Sequence, residues 1–148
     1  MRLPALSMAI VLLVGPAVGV ADDLEDAIQS LKDAVAKKDV ESVKKLTATI
    51  FPMASGIVST PAPQDAEEKK AWDDRVAYAK NAQGYAESAL ASTAVQSSPE
   101  VLVDLISTLE QENPKSKYLN EAYHHAARRD DPNTTLVRLE SLRRADAE

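Results

Sequence analysis

Apolar residues return every three or four positions along most of this chain, and the places where that rhythm stops divide it into helices. Asp22 with Glu25 suits a capping box for the first mature helix, in which Leu24, Ala27, Ile28, Leu31 and Val35 form one stripe and Lys37-Lys38 closes the segment at the negative end of the helix dipole. Asp39 restarts the chain as a cap, with Val40, Val43, Leu46, Thr47 and Ile50 as the next buried face. Phe51-Pro52 is expected to end or kink this second helix, with Met53 to Val58 able to add another turn or two. The spacing predicts an antiparallel helix pair over 22–58.

Thr60 to Gln64, TPAPQ, is the clearest internal boundary. Asp65 with Glu68 then offers a capping box, and no proline interrupts the chain from there to Gln96. Trp72, Val76, Ala79, Ala82 or Gln83, Ala86, Ala89 or Leu90, and Thr93 keep a helical period. One long helix of about 48 Å is predicted, at 1.5 Å per residue. Its weak point is Asn81 to Gly84, where glycine costs about 1 kcal/mol relative to alanine and a bend is expected. With one half against the first pair and the other against later helices, it would make a single domain.

Ser98 and Pro99 have the residue types of a cap and a first helical position. Val101, Leu102, Leu105, Ile106 and Leu109 follow, and Val103 widens the stripe, so this helix is expected to be buried on two sides. Asn113-Pro114 stops it. Ser116 caps the next helix, with Leu119, Ala122, Tyr123 and Ala126 inward and Lys117, Asn120, Glu121, His124 and Arg128 outward. A last helix is predicted from Pro132 to Ala145.

The run Pro114-Lys-Ser116-Lys-Tyr118-Leu-Asn-Glu121-Ala122 resembles the Pro-x-Ser-x-Tyr-x-x-x-Ala helix start of tetratricopeptide repeats in bacterial envelope proteins. With Gln83 as the first position of a 34-residue unit, Leu102, Ile106, Leu109 and Pro114 fall on its second-helix packing positions and closing proline. Ala86, Ala89 and Leu90 fall on its first-helix packing positions, where the family's usual Trp, Gly and Tyr are absent. A second, more degenerate unit would run from Lys117 onward, with Glu140 and Arg143 replacing packing residues. The resemblance covers residues 83–148. It implies an all-α fold of antiparallel hairpins around one long helix, as a right-handed solenoid or an irregular bundle, and a role in binding a protein or peptide.

Residues 1–21 have the organisation of a secretory signal peptide: Arg2, an apolar run from Leu6 to Val14, the Gly15-Pro16 break, then small residues. Cleavage is expected after Ala21, with Gly19 the near alternative. The run falls short of the roughly 20 residues of a membrane span, so no integral span is expected once it is removed. The chain has no cysteine, which excludes disulfides, thiol chemistry and a lipoprotein anchor. A periplasmic or secreted location follows as the expectation. The net charge of −6, or −7 once Arg2 leaves with the signal, argues against nucleic-acid binding.

Chemical motifs are absent. No nucleophile elbow, phosphate loop, paired-carboxylate site or metal-binding HExxH is present, so no catalytic residue, cofactor or metal site is predicted. His124-His125 with Glu121 could belong to a metal site only with ligands from other helices, which the two histidines alone do not supply. Asn133-Thr-Thr135 fits a glycosylation sequon, relevant only to a eukaryotic secretory route. The aromatic residues Trp72, Tyr78, Tyr85, Tyr118 and Tyr123 are candidate partner-binding residues, with core packing as their other role. Tyr78 and Tyr85, seven apart, share a helix face. The function expected is non-catalytic binding of another envelope protein or peptide. The alternatives are a small bundle that carries or senses a metal or small ligand, and self-association.

Overall fold

The computed structural model describes residues 18–128. Five helices follow one another: α1 (Val18–Lys37), α2 (Val40–Val58), α3 (Ala66–Val95), α4 (Pro99–Glu112) and α5 (Tyr118–Ala127). The described residues are all-α, as the periodicity requires. None of these helices is long and apolar enough to cross a membrane. The helix expected over 132–145, the sequon and the apolar run of the signal peptide lie outside the described residues.

Local chemistry sets most of the ends. Asp39 caps α2 by accepting from the Ser42 amide at 3.1 Å and the Ser42 hydroxyl at 2.7 Å. Asp65 caps α3 by accepting from the Glu67 and Glu68 amides at 2.9 and 3.0 Å. Ser98 occupies the capping position of α4 but makes no side-chain cap bond, so Pro99, with its preset φ and missing amide, is what opens that helix. Ser116 accepts from the Tyr118 amide at 3.3 Å. Asp22 does not cap the first helix, because Val18 to Ala21 are already helical and place it inside α1.

Pro52 sits within α2 without ending it. The bond it forfeits is the one to the carbonyl of Ala48, an exposed residue whose carbonyl water can satisfy. Gly84 likewise lies inside an unbroken α3. At 30 residues that helix is about 45 Å long.

α3 is the element on which the others converge. It packs against all four, α1 and α2 also pack on each other, and so do α4 and α5. Among the described residues α1 touches neither α4 nor α5, and α2 does not touch α5. Two three-helix groups therefore share one strut, and α2 and α4 also touch across it. The buried face of α3 is largely alanine (Ala79, Ala82, Ala86, Ala89 and Ala94), whereas its neighbours contribute Leu24, Leu31, Ile50, Leu102, Leu105 and Leu109, all fully buried. Small side chains on the strut let the other axes come close. Each buried leucine stabilises the fold by roughly 1.5–3 kcal/mol.

Polar ties are secondary by comparison. Lys44 of α2 reaches both carboxylate oxygens of Asp104 of α4, at 2.9 and 2.6 Å, with both side chains about half exposed. An exposed pair of this kind contributes about 0.2–1 kcal/mol, less than one leucine. Thr47, fully buried on α2, returns its hydroxyl to the Val43 and Lys44 carbonyls at 2.9 Å each.

The turn between α1 and α2 carries the one non-glycine residue with positive φ among those described, Lys38 at 57°. Its amide bonds to the Val35 carbonyl at 3.1 Å, and the Asp39 amide bonds to that of Ala34 at 3.0 Å. This double closure is the Schellman motif, in which the left-handed position favours glycine. Lys38→Gly should accordingly raise stability by about 1 kcal/mol, read as a rise of about 4 °C in the thermal midpoint. Hydrogen bonds from Ser42 hold the Asp39 carboxyl below the usual aspartate range. A depressed folded-state value means that the charged cap stabilises above the unfolded-state value and that this contribution is lost as pH falls through the folded one. Denaturant titrations of wild type and Asp39→Asn should therefore differ at neutral pH and converge at strongly acidic pH.

Candidate partner-binding cleft

Because α2 continues past Pro52, Met53, Gly56 and Ile57 present one face towards the start of α3, where Trp72 and Arg75 stand one turn apart. Ala21 of α1 and Thr60 of the connecting segment complete the walls. The result is a half-open, mainly apolar cleft of about 350 Å³. The Trp72 indole donates to the Thr60 carbonyl at 3.1 Å, which fixes the ring where it lines the cleft. A side chain added at Gly56 would meet no atom within 4 Å, so the cleft is open above that position.

The five aromatic residues do not assemble into one groove. Trp72 lines the cleft. Tyr78, two turns further along α3, is 38% exposed, while Tyr85 is half-buried against the core. Partial burial, with the Glu25 carboxylate nearby as a smaller cause, raises the pKa of the Tyr78 hydroxyl above its ordinary value. Tyr118 and Tyr123 belong to α5, in the other three-helix group. The Tyr118 ring is half-buried beneath the Lys117 ammonium, 5.0 Å from its centroid. Tyr123 is 5% exposed and donates its hydroxyl to Glu110. Its position in the core is the packing role that aromatic residues most often take.

A second cleft, of about 560 Å³, opens between α2, α3 and the end of α4. Four of its polar side chains are engaged with one another: Gln83 donates to the Ser55 hydroxyl at 2.9 Å, and the Asn113 amide donates to Glu87 at 2.9 Å. Glu87 also accepts from the Ser116 hydroxyl at 2.6 Å. One carboxylate on α3 thus holds both ends of the Asn113-Pro-Lys-Ser116 turn. This is a structural clamp, and it explains why Ser116 is buried although its neighbours are exposed.

His124 is exposed and His125 half-buried on α5, with Glu121 exposed beside them. Among the described residues, no three metal-ligating side chains come together. Nor does any buried side-chain nitrogen or oxygen among them lack a hydrogen-bond partner. What the geometry offers is therefore an apolar recess on an all-α scaffold. No protein-family model, no curated protein and no solved structure matches this chain.

The clamp makes a measurable claim. Glu87→Ala leaves Asn113 and the half-hidden Ser116 hydroxyl without their acceptor, and should lower stability by about 2 kcal/mol in chemical denaturation. Lys44→Ala, which opens the exposed pair to Asp104, should cost less than half of that.

Proposed function

We propose that this is an exported, non-catalytic helical protein that binds another envelope protein or a peptide, and that the cleft beside Trp72 is where it does so. The observation that supports the reading best is a large aromatic ring, held by a hydrogen bond to Thr60 and half exposed, at the back of an open apolar recess. Such rigid aromatic anchors account for a large share of binding energy in protein interfaces. In this reading the leader is removed after Ala21, which takes away one wall residue and leaves the cleft open on the α1 side.

The packing of each helix on its neighbours in sequence agrees with a tetratricopeptide-like origin, since repeat proteins are built from such local contacts. The other aromatic residues have packing roles or stand outside the cleft. Of the five aromatic residues, Trp72 alone is then at the binding site.

Crosslinking pull-downs from the native envelope fraction test it, using wild type, Trp72→Ala and Tyr118→Ala, with circular dichroism to confirm that all three fold. A partner retained by wild type and Tyr118→Ala but reduced at least about tenfold by Trp72→Ala is the expected result. Equal capture by all three, or capture by none, would overturn the assignment of the cleft.

A further inference from the structure

Among the described residues, Arg75 is the one cationic side chain in the wall of the cleft. It is half-buried, and among the described residues its guanidinium makes no hydrogen bond or ion pair. The nearby ammonium groups are different: Lys69 is paired with Asp73 at 3.0 Å and Lys70 with Asp74 at 3.4 Å. The Trp72 indole N–H is already committed to Thr60. Arg75 is thus an uncommitted set of donors beside carbon surface.

The volume decides what fits. About 350 Å³ accommodates one large apolar side chain or two small ones. A guanidinium stays protonated at any physiological pH, and its planar fork matches a carboxylate with two parallel hydrogen bonds. Trp72 and Arg75 are three residues apart on one helix, so their β-carbons lie about 5–6 Å from each other. A ligand that satisfies both must carry an apolar group and a carboxylate a few ångströms apart. The last residue of a polypeptide does so, because its side chain and its free carboxylate leave the same α-carbon.

We infer that the cleft captures the C-terminus of a polypeptide ending in an apolar residue, with the terminal side chain against Trp72, Met53 and Ile57 and the terminal carboxylate on Arg75. The inference rests on the cleft being the partner site and specifies the chemistry read there. Carboxylate-terminus capture is a recurrent mode of peptide recognition, and here a side chain supplies the donors.

Trp72 is the only tryptophan in the chain, so its fluorescence reports the cleft directly. The protein is titrated with pentapeptides that are identical except for a last residue of leucine, phenylalanine, alanine or lysine, each as free acid and as C-terminal amide. Saturable spectral shifts are expected for the free acids ending in leucine or phenylalanine. Alanine and lysine endings should bind more weakly, and the amides about tenfold more weakly than their acids. Arg75→Gln, which keeps a helix-forming residue, should abolish the difference between acid and amide while preserving the circular dichroism spectrum.

Acid and amide binding equally to wild type would overturn the role of Arg75. Decanoate binding as tightly as the best peptide, with the same dependence on Arg75, would replace the peptide with a fatty-acid-like ligand. If no peptide shifts the Trp72 signal while envelope capture still depends on Trp72, the C-terminal inference falls and the cleft remains the partner site. Loss of both overturns the two together.

Discussion

The fold depends on close approach to the alanine face of α3. Ala79, Ala82, Ala86, Ala89 and Ala94 bury little surface of their own, yet they let four other helices bring leucine, isoleucine and valine side chains against one strut. A chain with six aromatic residues has few bulky side chains with which to build a thick core, and α3 makes them unnecessary. Packing is also the main reinforcement, since no disulfide is possible and the tie between α2 and α4 is exposed, while the Glu87 clamp acts on a single turn. Polar groups act mainly at helix ends and turns, where Asp39, Asp65 and Glu87 decide where the chain changes direction.

Much of this architecture was legible in the sequence because apolar period and punctuation agree. The inward residues expected for α5, Leu119, Ala122, Tyr123 and Ala126, are all buried, and the five expected to face outward are all exposed. The TPAPQ connection and the Asp39 and Asp65 caps lie where local propensity puts them. Three details required tertiary knowledge. Pro52 is a strong stop signal locally, but the buried Phe51 and Ala54 on either side draw the helix through it. Ser98 has the right chemistry for a cap and makes no cap bond. Asp22 lies inside α1 because the helix begins upstream at Val18, within the segment whose removal the expected cap presupposes.

The candidate site was less legible than the fold, and Pro52 is the reason. An end or kink at Pro52, with a turn or two able to follow it, leaves undecided the register that brings Met53, Gly56 and Ile57 opposite Trp72. Trp72 was recognisable as an unusual residue, but Arg75 was one charge among many until its lack of an ion pair could be compared with the paired Lys69 and Lys70. The tyrosines show the opposite difficulty. Tyr78 and Tyr85 do share a face of α3, but a shared face does not make a groove, and Tyr118 and Tyr123 belong to a different group of helices. Of the two clefts described, the larger is occupied by its own hydrogen bonds. The smaller has a fixed aromatic surface and an uncommitted cation.

The sharing of α3 between two three-helix groups also bears on how the molecule acquires its structure. Among the described residues every interhelical contact joins helices that are adjacent or next-but-one in the chain, so few long loops must close before packing begins to compensate for lost chain entropy. Topologies of this kind fold rapidly. The group formed by α1, α2 and α3 is continuous in sequence, with the end of α1 and the start of α2 reaching Thr93 and Gln96 at the far end of α3, and α4 and α5 then dock on the remaining face of the strut. In a chain emerging N-terminus first, the cleft at Trp72 would be complete before the second group had docked.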